Sequence, residues 1–242
     1  MHLPKPLHHY KAVFLDVGDT LLTIPAARET MRQFLADKSF YRDPEHIGRL
    51  FKDAFRRFYY DKRDEEFEAC TPESDRAFWV RLYGFILEHL GAAEHAGEEE
   101  LHHWCHELYD LFISPEHYSL FEDVKDSLDG LKQRGLRLGI ISNFAPTLKR
   151  ILDDKGILHL FDPVIVSTEV GIEKPNPAIF SLALEQAGLN ASDVLYVGDH
   201  DKNDIWAPKQ VGMDAVKIKR YDYHHGEGIY SLRDLLTEEP RP

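Results

Sequence analysis

The stretch KAVFLDVGDTLLTI, Lys11 to Ile24, decides how the rest of the chain is read. Its first half is a short run of β-branched, aromatic and aliphatic residues, the composition of a buried strand. The run stops at Asp16. Gly18 and a second acid, Asp19, follow it closely. Ligands of open α/β sheets bind just beyond the carboxyl ends of the strands, so a carboxylate at this point is a candidate site residue.

Reading outward, four amphipathic stretches come next, at about 26–37, 45–61, 75–90 and 98–112, with no convincing strand between them. In the third, Phe78, Leu82, Phe85, Ile86 and Leu90 recur at helical spacing, and Ser74 stands where a cap would. After Pro115 the rhythm changes to alternating helix and strand. Helices are expected at 123–135, 146–155, 177–187, 204–212 and near 232–236. Strands are expected at 136–142, 163–167, 193–199 and 214–218. Such alternation argues for an α/β fold: a Rossmann-like, doubly wound parallel sheet. Residues 1–24 and 117–242 make up this core, and residues 25–116 form an inserted all-helical cap.

Composition sets outer limits. The chain of 242 residues is 43% hydrophobic and 29% charged, enough apolar material for a substantial core. Its formal net charge is -13 and no basic stripe is visible, which disfavours nucleic-acid binding but leaves a small anionic substrate open. Two cysteines, Cys70 and Cys105, offer neither a disulfide framework nor zinc spacing, as expected of a reducing cytosol. The N-terminal residues read as neither a signal peptide nor a membrane span, so a cytoplasmic protein is expected. No P-loop or dinucleotide glycine fingerprint is present. The sequence does not give the oligomeric state.

Four features fall just past predicted strands: Asp16, Ser142, Lys174 and the pair Asp199 and Asp204. Each alone has an ordinary structural use, as a turn acid, a helix cap or a solvated lysine. Together they make chemical sense. Asp16 can act as a nucleophile, since carboxylates form aspartyl-phosphates. With Asp199 and Asp204 it could hold a hard divalent cation such as Mg2+. The Ser142 hydroxyl could hold phosphoryl oxygens, and Lys174 adds a point charge to the same oxygens and to Asp16.

The pieces FLDVGDTL, GIISN, GIEKPNPAIF and VLYVGDHDKNDIWAPKQVGM, in this order, resemble the haloacid dehalogenase (HAD) superfamily of aspartate-nucleophile hydrolases. The chain looks closest to the dehalogenase-like hydrolase domain-containing 3 branch, also called the rhythmically expressed gene 2-like group. The resemblance implies a magnesium-dependent hydrolase, a phosphatase of small phosphorylated metabolites, with Asp16 as nucleophile. It implies that the Gly18 backbone carbonyl, Asp16, Asp199 and Asp204, the last directly or through water, hold the metal. Thr20 would orient the first loop, Ser142 would bind the phosphoryl group, Lys174 would stabilise the site, and Asn143 would contact substrate. Closure of the cap would exclude water and set substrate choice.

Gly18 departs from the pattern. Family phosphatases usually carry there a second Asp that protonates the leaving oxygen and later activates water. Asp19 is one residue late and is expected to bond nearby backbone N–H groups instead. A leaving group that needs little protonation, or an acid borrowed from the cap or the substrate, would reconcile this with phosphatase chemistry. A 2-haloacid dehalogenase needs no acid, but the acidic pair Asp199 and Asp204 argues against it. A phosphonatase would need a cap lysine, for which Lys38, Lys52 and Lys62 are the candidates. A catalytically weak protein that binds a phosphorylated ligand or a partner is the alternative of a different class. His102 and His106, at metal-ligand spacing beside Cys105, are read as part of an amphipathic cap helix, and 221–228 as a surface loop.

Overall fold

The computed structural model describes residues 3–60 and 70–237. The chain divides into two compact units, one of residues 1–23 with 118–242 and the other of residues 24–117. Strands β1 (Ala12–Leu15) and β2 (Leu22–Thr23) open the first unit. The second unit is helical: α1 (Ala27–Asp37), α2 (Pro44–Phe55), α3 (Pro72–His89) and α4 (Glu98–Phe112). Its helices bury Leu35, Ile47, Leu82, Ile86, Trp104 and Leu108 in a core of their own.

The first unit resumes with β3 (Ser119–Leu120), α5 (Val124–Gln133), β4 (Arg137–Ser142) and α6 (Leu148–Asp154). Then come β5 (Phe161–Val166), α7 (Ser167–Val170), α8 (Ala178–Ala187), β6 (Val194–Gly198), α9 (Ala207–Gln210) and β7 (Asp214–Lys217). Five parallel strands form one sheet in the order β5-β4-β1-β6-β7. This is the doubly wound α/β fold that the alternation predicts. Among the described residues no helix is long and apolar enough to cross a membrane.

The central strand shows why the sheet is covered on both faces. Successive side chains of a strand point to opposite sides. Val13 and Leu15 join Leu138, Leu195 and Val197 in a cluster with Leu128 of α5 and Ile151 of α6. Ala12 and Phe14 join Tyr196 in a second cluster with Ile179 and Phe180 of α8. Register fixes this partition, because Val13 lies beside both Leu138 and Leu195, and Phe14 beside Gly139 and Tyr196. Burying each large apolar side chain contributes about 1.5–3 kcal/mol.

Several local expectations need correction. The cap of α3 is Thr71, and Ser74 is its reciprocal partner three residues later. The helix expected to run on to Asp61 stops at Phe55 and continues through Tyr60 as a wider π-type turn; Asp61, Lys62 and Arg63 lie outside the described residues. The helix expected at 204–212 is instead a π-type turn, Asp201–Trp206, followed by the short α9. The last helix is a 3-10 turn, Leu232–Leu235. A two-residue antiparallel pair, β2 with β3, was not legible; it pairs Leu22 with Leu120 and Thr23 with Ser119, residues that precede and follow the helical unit in sequence.

Gly139 accommodates the ring of Phe14, since a Cβ there would lie 2.6 Å from Phe14 Cδ1. Gly139→Ala should therefore cost about 1–3 kcal/mol, the range for overpacking a filled core. Urea unfolding that shows no loss would contradict this packing.

Candidate active site

The carboxyl ends of β1, β4 and β6 bring the predicted residues to one edge of the sheet. Asp16 follows β1 directly, and its N–H donates to the Val197 carbonyl at 2.9 Å, which extends the ladder and fixes the residue. Lys174 arrives from the loop between α7 and α8. Its ammonium donates to Asp16 Oδ1 at 2.7 Å, Asp204 Oδ1 at 2.7 Å and the Tyr196 hydroxyl at 3.1 Å. Those three bonds use all three protons of the ammonium. The residue is only 3% exposed.

Each partner is itself held in place. The Tyr196 hydroxyl donates to the Ile141 carbonyl at 2.9 Å. The His200 N–H donates to Asp204 Oδ2 at 3.0 Å. Gly198 lets Asp204 lie flat on the strand end, because a Cβ there would collide with its carboxyl. Asn143 clamps the lysine loop with both ends of its amide: Nδ2 donates to the Lys174 carbonyl at 2.7 Å, and the Lys174 N–H donates to Oδ1 at 2.8 Å. Thr20 Oγ1 stands 3.4 Å from Asp16 Oδ2, a long contact, and is fully buried. Ser142 is buried as the last residue of β4; α6 starts only at Leu148, so Ser142 is not a helix cap.

Carboxylate oxygens of Asp16, Asp199 and Asp204 lie within 4.8 Å of one another, and all three residues are buried. A hard, all-oxygen donor set of this kind suits a divalent cation such as magnesium. The charge distribution agrees. Burial pushes Asp16 up to about 6, against the pull of Lys174 and with a further push from Asp204. Asp199 is held well above the usual carboxylate range by burial and by the neighbouring acids. Burial alone would lower Lys174, but Asp16 and Asp204 outweigh it and keep the ammonium charged. Ionised together, the three acids would carry more negative charge than one lysine balances, which adds to the burial that raises Asp16 and Asp199.

Asp19 sits in a left-handed turn with φ 51. Burial pushes it up to about 6, a Tyr221 hydrogen bond pulls it back, and Asp16 pushes it up again. Its side-chain partner is therefore Tyr221 rather than the backbone N–H groups expected. A Cβ at Gly18 would meet nothing within 4 Å, so the place of the second Asp is open space.

Sequence reading missed three participants. Tyr196 looked like one more apolar strand residue. Arg220 donates to the Thr20 carbonyl from Nε at 3.0 Å and from Nη2 at 2.7 Å, and from Nη1 to both oxygens of Asp123 at 2.8 and 2.9 Å. It ties the first loop to α5, and no local signal marks a pair 97 residues apart. His224 was placed in a surface loop, yet it is 4% exposed and its Nε2 stands 3.6 Å from Asp199 Oδ2. Burial lowers it to about 4, so the imidazole is neutral. The rings of His102 and His106 do face each other on α4 at 4.7 Å. Among the described residues, however, neither joins a group with metal-ligand spacing.

A profile of the haloacid dehalogenase-like hydrolases matches residues 10–212. The chain belongs to this family. It is 29% identical to haloacid dehalogenase-like hydrolase domain-containing protein 3 of Danio rerio, across 87% of this chain and 85% of that protein. It is 30% identical to the phosphoserine phosphatase of Thermus thermophilus, across 87% of this chain and 89% of the enzyme. Among solved structures, a predicted phosphoglycolate phosphatase from Haemophilus somnus superposes with a TM-score of 0.67 at 20% identity, covering 94% of this chain and 97% of that one.

In the metal-free fold Asp16 and Asp19 ionise near 6, against about 4 in an unfolded chain. The folded state then binds more protons between those values, so these groups make stability fall as pH rises through that window. A bound cation favours the ionised forms, so the gap in Tm between magnesium-loaded and chelated protein should widen from pH 4 to 7. Asp199→Asn should raise the Tm of the chelated protein at pH 7 by about 2–8 °C and close the gap. A variant that still responds to magnesium as the native chain does would contradict the cluster as an ion site.

Proposed function

We propose that this hydrolase is a magnesium-dependent phosphatase of a small phosphorylated metabolite, working through an aspartyl-phosphate at Asp16. The observation that carries the reading is the convergence of Asp16, Asp199 and Asp204 around a buried Lys174. A carbon–halogen hydrolase needs a nucleophile and a halide site but has no use for the two further carboxylates. Curated relatives named as phosphatases, the phosphoserine phosphatase above among them, point the same way.

In the first step an Asp16 carboxylate oxygen attacks phosphorus. The phosphorus–oxygen ester bond breaks, and its electron pair leaves with the substrate oxygen. Lys174 holds Asp16 in line and adds its positive charge to the field, while the Ser142 hydroxyl and the backbone N–H groups near it receive the phosphoryl oxygens. In the second step water attacks phosphorus, the phosphorus–oxygen bond to Asp16 breaks with its electron pair returning to the carboxylate, and the water's protons leave with the released phosphate or pass to solvent. Asp16, Asp199, Asp204 and the Gly18 carbonyl would hold the Mg2+ ion. When bound, it neutralises charge between nucleophile and phosphoryl group.

Gly18 limits this chemistry. With no carboxyl at that position, protonation of the leaving oxygen falls to solvent or to the substrate itself. Positioned acid–base help is worth about 10²–10⁴ in rate, so slow turnover on poor leaving groups follows. The same glycine is the one observation favouring a second reading, a phosphate-ligand binding protein with little activity.

An aryl phosphate with a good leaving group separates the two. Turnover that requires magnesium and disappears in Asp16→Asn is expected, and none at high protein concentration would leave the binding role. Gly18→Asp has room for its side chain and should raise the rate on alkyl phosphates by about 10-fold or more, with less effect on the aryl ester. An unchanged or lower alkyl rate would contradict the missing acid as the limit.

A further inference from the structure

The loop carrying Tyr221 and His224 gives the site edge something the magnesium set lacks, a nitrogen donor. His224 is buried, and its Nε2 has no hydrogen-bond partner in the described structure. Orphaned buried polar atoms are uncommon in folded proteins and ask for an explanation. This nitrogen faces Asp199 Oδ2 at 3.6 Å, and ligand atoms of His224, Asp199 and Asp19 all lie within 4.8 Å of one another. The 3.6 Å pair is near the roughly 3.4 Å between adjacent tetrahedral ligands with bonds of about 2.1 Å, and the third ligand would draw in on binding.

We propose that Asp19, Asp199 and His224 form a second divalent-cation site, selective for a transition metal, with Asp199 shared between it and the magnesium set. Three features support it. Imidazole nitrogen favours first-row transition metals, whereas all-oxygen sets suit magnesium. The ring has an acceptor behind it, the Ile218 carbonyl. Loading Nε2 with a metal puts the ring proton on Nδ1, where that carbonyl is the acceptor at hand. In the metal-free fold Nδ1 instead accepts a long hydrogen bond from the Arg220 N–H at 3.3 Å, which metal binding exchanges for the Ile218 carbonyl. Charge completes the argument. Asp16, Asp19, Asp199 and Asp204 against Lys174 leave a surplus of three negative charges when all are ionised, and a single divalent ion leaves one uncompensated.

Cobalt(II) is the probe, since its visible spectrum reports ligand type. In equilibrium dialysis of the full chain against magnesium and cobalt together, the native protein should hold two divalent ions. His224→Gln and Asp19→Asn should each hold one, or bind the second at least about 10-fold more weakly. Paramagnetic displacement of the His224 ring resonances in the native protein checks the ligand without any substitution. One ion per native chain, equal cobalt binding in the variants, or unmoved ring resonances would overturn the site. Turnover plays no part in this readout, so failure of the second site and failure of the phosphatase reading are separable.

Discussion

The structure is organised by one buried ammonium. Lys174 sits between Asp16 and Asp204 at 2.7 Å from each, with almost no exposure of its side chain. Burial of three charged groups is costly, and it is tolerable here because every proton of the lysine has an acceptor. Removal of one partner from such a set typically costs about 3–5 kcal/mol, since the others stay buried and unpaired. The lysine therefore does two things at once. It keeps two carboxylates in one place, and its pull on the third, Asp199, is outweighed by burial and the neighbouring acids.

That imbalance links fold to chemistry. The strands β1, β4 and β6 end at the same level, and each delivers one part of the charge cluster or its support. Small details keep the groups from relaxing apart: Gly198 under Asp204, the Asn143 clamp on Lys174, and the Tyr196 bond to Ile141. Arg220 secures the first loop through the Thr20 carbonyl while paired to Asp123. Asp123 is held below its usual range although burial opposes it, because Arg220 and Ser231 hydrogen-bond to its ionised form. A rigid frame of this kind can hold an under-compensated set of acids in a geometry suited to a cation.

Much of this was legible in the amino-acid order. The α/β alternation could be read because buried parallel strands are short continuous apolar runs, as in AVFL and VLYVG. Asp16 and Asp199 could be read because they directly follow such runs, whereas Lys174 lies beyond the intervening α7 and was marked by its motif. What escaped has a common cause. The β2–β3 pair is two residues on each strand, too short for any period. Asp19 takes a positive φ that its sequence position does not announce. The Arg220–Asp123 pair and the approach of His224 to Asp199 join distant parts of the chain, and a loop rich in polar residues gives no hint that one of them is buried.

The central claim is that Asp16 is a nucleophile beside a cation held by acids from two strand ends. Its most direct test is a crystal structure grown with magnesium and beryllium fluoride, a mimic of the aspartyl-phosphate. The account predicts beryllium bonded to an Asp16 oxygen, a fluorine near Lys174, and a magnesium ion touching Asp16 and Asp199. A complex with beryllium fluoride elsewhere, or with no ion among those carboxylates, would contradict it.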